Sequence, residues 1–282
     1  MPRRQQLTGS ALLAALLIST PAQARLDWTG FAQYSADARF LHYQVHSEPV
    51  GTLLVWPELN QTHQWLPIAS EWQRRGWKVL LLQPDERQQQ FDPTSEQPPP
   101  SQGQWLKQLS LQLSDLLSDH ALLNNRQAEK GHQGSAKEIR FPLVVITQGS
   151  AALWFQQLVD GGAIVRPQAL ILFDALPSHI TEQQMLATSL AHNPYPILDI
   201  YSHPDSLLAR HNQQRRQQQL GRREQAGYTL LRGNGPVQLN KQIAGWMVRL
   251  GWLPLPPSAP DYLKEQHSET GISRSTNPGT GN

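Results

Sequence analysis

Beyond its first two dozen residues the chain alternates short apolar runs with longer amphipathic stretches. The runs cover residues 51–56, 77–82, 142–147, 169–173, 196–201 and 228–231, and their lengths fit strands. GTLLVW, LVVIT and ALILF are near-continuous hydrophobic stretches with no in-and-out alternation, the pattern of strands buried on both faces of a parallel sheet. Helices must then cover both faces. Apolar residues at helical spacing supply them in 65–75, 105–123, 151–159 and 239–250. Gly76 and the pair Gly161-Gly162 stand where helix C-caps belong, each shortly before the next strand. This order predicts an α/β fold, a mostly parallel doubly wound sheet in three layers.

Polar segments punctuate the pattern. Residues 83–104, rich in Gln, Pro and Ser, and 124–137, with Gly131 and Gly134, read as surface loops. Residues 206–225, which contain HNQQRRQQQ, read as a solvated helix rather than a binding arm. From Leu253 onward Pro, Ser, Gly and Thr dominate and periodicity ends, so 253–282 is expected to be a disordered tail. At the other end, Arg3 and Arg4, the apolar run 11–18 and Ala22-Gln23-Ala24 form the three parts of a secretory signal peptide. That run is about half of the roughly 20 residues needed to cross a bilayer. The expectation is cleavage after Ala24, a domain over 25–252, no stable membrane span, and a periplasmic or secreted protein.

Composition then removes several functions. No cysteine is present, so disulfides and thiol chemistry are excluded. The formal net charge of +2 comes from 24 basic and 22 acidic side chains. The leader carries two of the arginines and no acid, so the mature chain is neutral and has no electrostatic case for a nucleic-acid partner. Nine tryptophans are scattered without a period, which suits core packing.

The most informative segment is LVVITQGSAALWFQQL, residues 143–158. A buried strand, a tight turn of small residues and an amphipathic helix resemble the nucleophile elbow of the α/β-hydrolase superfamily. Upstream, residues 51–85 resemble that superfamily's strand, oxyanion loop, Trp-containing helix and second strand, with Trp56 to Leu59 as the loop, then Trp65, Gly76 and Asp85. PILDIYSHPD, residues 196–205, resembles the strand that carries the catalytic acid, with Asp205 as its match. The signal peptide, Gln148-Gly149-Ser150-Ala151-Ala152 before Trp154, and Ala244-Gly245-Trp246-Met247 together resemble an uncharacterised family of exported bacterial α/β-hydrolase-like proteins that carry G-x-G where active relatives carry G-x-S. The resemblance implies an α/β-hydrolase-like fold and a loop or pocket at Trp56, Glu58, Leu59 and Gly149.

The chemistry departs from the superfamily. An ungapped fit puts Gly149 at the nucleophile, between the small flanks Thr147 and Ala151, and makes Ser150 the residue whose backbone N–H serves the oxyanion hole. Making Ser150 the nucleophile instead requires Gln148 as a small flank. No histidine lies in 230–247, where the base belongs; His211 precedes that stretch and His267 follows it. Serine without a nearby base is a weak nucleophile at neutral pH. The leading expectation is therefore a protein without Ser-His-Asp activity that binds a small molecule or an envelope protein. The alternative is a divergent serine esterase using Ser150 with Asp205 and with His203 or His179; a third reading builds other hydrolytic chemistry on Glu58 and Asp205.

Glu58, His63, Asp85, Asp174, His203 and Asp205 all fall at or near strand ends, where carboxylates either line a pocket or simply cap helices and face water. The second role is the expectation for any one of them. His42 and His46 form only an i, i+4 pair, there is no H-E-x-x-H, and neither a G-x-G-x-x-G nor a Walker loop occurs, so no metal or cofactor is expected.

Overall fold

The computed structural model describes residues 40–45, 48–84, 88, 100–130, 141–177, 180–202, 207–222, 227–233 and 236–255. The leader 1–24, His46, Asp85, His179, His203, Asp205 and the tail from 256 lie outside the described residues. The elements run β1 (Phe40–Tyr43), β2 (Gly51–Trp56), α1 (Thr62–Arg74), β3 (Trp77–Leu82), α2 (Pro100–Lys130), β4 (Leu143–Gln148), α3 (Ala151–Asp160), β5 (Ala169–Phe173), α4 (Ile180–His192), β6 (Ile197–Tyr201), α5 (Leu207–Arg222), β7 (Tyr228–Arg232) and α6 (Pro236–Arg249).

The strands form one sheet in the order β1-β3-β2-β4-β5-β6-β7. Every pairing is parallel except β1 against β3 at one edge. Side chains alternate faces along a strand, and both parities are buried. Leu54 and Trp56 of β2 join Leu143 and Val145 of β4 and Leu170 and Leu172 of β5 against α2, α3 and α4. Leu53, Val55, Val144, Ile146 and Ile171 face the other way, against Trp65, Ile68 and Trp72 of α1 and Leu239, Ile243 and Met247 of α6. The unbroken apolar runs are thus the consequence of helices on both sides, and the three layers are as expected.

Gly76 (φ +86°) and Gly162 (φ +67°) take the left-handed conformation that ends α1 and α3. Two strand and helix expectations were incomplete. Phe40–Tyr43 forms an edge strand that is too short and too flanked by polar residues to stand out. Ile180–His192 forms a helix, marked in retrospect by the spacing of the buried Leu186, Ala187, Leu190 and Ala191. The loop expected over 83–104 is already helical from Pro100, and the one expected over 124–137 is helical as far as Lys130, because α2 runs for 31 residues. Residues 131–137 lie outside the described residues. Leu253, placed at the start of the tail, is buried in the core beside α6.

A carboxylate in the elbow

β4 ends at Gln148 and α3 begins at Ala151, so Gly149 and Ser150 make the whole strand-to-helix turn. Gly149 has φ +59°, the left-handed region in which an L side chain is strained. Its N–H donates to the Phe173 carbonyl (3.1 Å), and its own carbonyl accepts from the Leu176 N–H (3.3 Å). The apex of the elbow therefore belongs to Gly149. Ser150 follows in right-handed helical geometry at the N-cap of α3, φ −67° and ψ −24°.

The space above Gly149 is taken. A Cβ built on Gly149 would lie 1.5 Å from Oε2 of Glu58 and 2.6 Å from its Cδ. Glu58 comes from the loop after β2 and reaches into the turn, where Oε2 accepts the Ser150 N–H at 2.8 Å and Oε1 accepts the Ser150 hydroxyl at 2.9 Å. The carboxylate also accepts the Leu59 N–H. In the superfamily the oxyanion hole is built from the N–H after the nucleophile and an N–H of this loop. Here the Glu58 carboxylate takes the Ser150 N–H of the turn and the Leu59 N–H of the loop.

Burial raises the Glu58 pKa above the usual carboxylate range, and the bonds from Ser150 and Leu59 pull it only part of the way back. The helix it approaches has no acidic residue in its first turn and no side-chain cap of its own. Glu58 supplies that anionic cap from 92 positions away in sequence. Its backbone is fixed, with the Gln61 N–H donating to the Glu58 carbonyl at 3.0 Å and the Glu58 N–H to Gln148 Oε1 at 3.3 Å.

Gln148, a poor small flank by sequence, is a brace: the same Oε1 accepts the indole N–H of Trp65 at 2.7 Å, tying β4 to α1 as well as to the loop. Trp56, expected at the loop or pocket, is wholly buried and packs against Trp105 and Trp154. Its indole N–H donates to Gln88 Oε1 at 3.1 Å, and the Gln88 amide donates to the Pro57 carbonyl at 3.0 Å, so it supports the loop from below. Gln88 had no sequence signal.

Asp174 (φ +47°) directly follows β5 and makes a similar contact across the gap between β5 and β6. One oxygen accepts the Ser202 N–H at 2.7 Å and the other accepts the Ser202 hydroxyl, tying β5 to β6. His63, at the mouth of the loop, donates from Nδ1 to the Asn60 carbonyl (3.1 Å) and is exposed. His42 lies on edge strand β1, where burial, with Lys78 nearby, lowers its pKa. Among the described residues no group of three or more candidate metal ligands occurs. The structure thus brings Glu58, Leu59, Gly149 and Ser150 together, while His203 and Asp205 lie outside the described residues.

A mostly parallel sheet of this order, with a strand-turn-helix elbow at its centre and a loop after the neighbouring strand that reaches into it, defines an α/β-hydrolase fold. The chain belongs to the family described as protein of unknown function (DUF3530), which matches residues 44–249. No curated protein matches it. Among solved structures it is similar to the carboxylesterase Cest-2923 of Lactobacillus plantarum WCFS1, with 11% identity, TM-score 0.50, and 77% of this chain and 94% of that chain covered. It is also similar to TT1662 of Thermus thermophilus, with 16% identity, TM-score 0.47, and 77% and 94% covered. A third is acyl-protein thioesterase 2 of Zea mays, with 13% identity, TM-score 0.46, and 75% and 98% covered. At these identities the likeness concerns the fold alone.

Proposed function

We propose that this chain is an exported α/β-hydrolase-fold protein that binds a ligand or partner in the cell envelope and carries out no serine hydrolysis. The observation that supports this reading is the Glu58 carboxylate seated where a nucleophile's side chain would stand, 1.5 Å from the Cβ position of Gly149. A catalytic elbow needs that position for a nucleophile and needs its oxyanion hole empty for the developing negative charge. Here one residue takes both.

One contact favours a second reading. The Ser150 hydroxyl donates to Glu58 at 2.9 Å, within reach for general-base activation, and burial has shifted that carboxylate toward basicity. Against it, the same carboxylate holds the Ser150 and Leu59 N–H groups, the donors an acyl oxyanion would need. A base for Ser150 and an empty hole are incompatible in this arrangement.

A single experiment addresses export and chemistry together. The full chain is expressed with its leader, cells are fractionated, and the periplasmic protein is sequenced at its N-terminus and treated with a fluorophosphonate serine probe. The expected product begins at Arg25 and stays unlabelled. Labelling that disappears in Ser150→Ala establishes the esterase reading, and protein kept in the cytoplasm with residues 1–24 intact refutes export.

A further inference from the structure

We propose that the hole formed by the Leu59 N–H, the Ser150 N–H and the Ser150 hydroxyl is a carboxylate-binding site which Glu58 keeps closed, and that a ligand's carboxylate enters by displacing the Glu58 side chain. The inference rests on the reading of the elbow as a binding seat and names the chemistry of what it binds.

The seat presents N–H donors and a hydroxyl that donates to Glu58. Two backbone N–H groups from separate elements and one hydroxyl converge on a planar group with two oxygens, and both oxygens are used. Converging N–H groups at a helix start favour an anion. Gly149 contributes by lacking a side chain: the volume next to the donors is open to any flat group of that size, as the position of Oε2 shows. Among the described residues no Lys or Arg takes part in holding Glu58. The seat is filled by a planar group with two oxygens, so a carboxylate matches it in shape and in the number of its acceptors.

The plug is also built to be displaced. The bonds from Gln61 and to Gln148 hold the Glu58 backbone, so opening requires rotation of the side chain alone. Glu58 and Ser150 are each only partly buried, which places the seat at the surface. Burial works against the seated anion, and among the described residues no ion pair offsets it. An internal competitor lowers the apparent affinity of an external ligand by the fraction of time the seat stands open. Removing the competitor should raise that affinity.

The test uses the 15N-labelled mature protein titrated with sodium propionate, a free small acid, and with N-acetyl-alanylalanine, a peptide terminus. Propionamide is the neutral control, and the amide signals of Leu59 and Ser150 are followed. In Glu58→Ala both signals should shift saturably with at least one acid, with affinity roughly tenfold or more above wild type. Propionamide should leave them unmoved, and adding Ser150→Ala should weaken the binding. The acid that binds more tightly identifies the source of the carboxylate. If Glu58→Ala does not fold, Glu58→Gln, which keeps the side-chain volume without its charge, should still bind more tightly than wild type. Silence of both amides toward both acids in a folded Glu58 variant, or an equal response to propionamide, overturns the proposal. Neither result depends on fluorophosphonate labelling, so failure here and failure of the non-catalytic reading are separately visible.

Discussion

Glu58 is an anion held by hydrogen-bond donors, with desolvation as its dominant electrostatic influence. That has a measurable sign. An unfolded glutamate titrates at about pH 4.3, and burial raises the folded value above it. A group with a raised folded pKa contributes stability that is fully present below the unfolded pKa and is lost as pH rises through the folded one. Relative to Glu58→Gln, wild type should therefore be at its best near about pH 4 and lose ground toward neutrality. Thermal denaturation of both proteins across that window checks this, and an advantage for wild type that grows with pH would show that donor bonds, not burial, dominate. The sequence grouped Trp56, Glu58, Leu59 and Gly149 as a loop or pocket and set Ser150 apart as a candidate nucleophile, because each falls at a fixed offset from a strand or turn. It did not reveal that one of them fills the place of another, since that contact spans 92 positions. Strand-end carboxylates were expected to cap the following helix or face water, and Glu58 does neither: it reaches the start of α3, while the N-cap Gln61 of its own following helix α1 makes no side-chain capping bond.

Among the elements, α5 departs most from its sequence reading. Its run of Gln and Arg suggested a solvated helix, and much of its surface is exposed, but Arg216 is buried. Arg216 makes a two-pronged pair with Asp199 in the middle of β6 (2.7 and 3.1 Å) and donates to the Ala175 carbonyl at 3.0 Å. Tyr228 of β7 donates to the same carboxylate at 2.6 Å. Burial lowers the guanidinium's affinity for its proton, and Asp199, aided by Tyr228, more than restores it. Burial and the neighbouring Asp199 together raise the Tyr228 pKa, so its hydroxyl remains a donor. Arg216→Ala should cost about 3–5 kcal/mol in urea unfolding, because it strands a buried carboxylate. Replacing both partners with apolar residues, Asp199→Leu with Arg216→Met, should recover most of that loss. A loss under about 1 kcal/mol for Arg216→Ala would mean that water reaches the pair. The clue in the sequence was Asp199 itself, an acid inside the otherwise apolar ILDIY, which demanded a buried cation nearby. Nothing in HNQQRRQQQ told which arginine would answer, because neighbouring cations differ only in the helix face they end up on.

At the scale of the molecule, the sheet, its two helical layers and the central elbow were legible from the apolar runs and from the order of elements. Edge strand β1 and helix α4 were not, the first for its brevity and the second because its apolar stripe is thin. What the whole fold does is deliver two chain segments to one point: β2 brings the loop with Glu58, and β4 brings the turn with Gly149. The pairing of β2 with β4, Trp56 opposite Thr147, fixes that meeting. The hydrolase scaffold is retained while its central position is closed by a residue of its own, and Gly149 and Glu58 depend on each other for that arrangement. A double-mutant cycle on stability tests this dependence most directly. Gly149→Ala carries the strain of a positive φ in any background, roughly 1–2 kcal/mol. In wild type it must also expel the Glu58 carboxylate. Gly149→Ala should therefore cost at least about 2 kcal/mol more in wild type than in the Glu58→Ala background. Equal costs in the two backgrounds would contradict it, because Glu58 would then not occupy the space above Gly149.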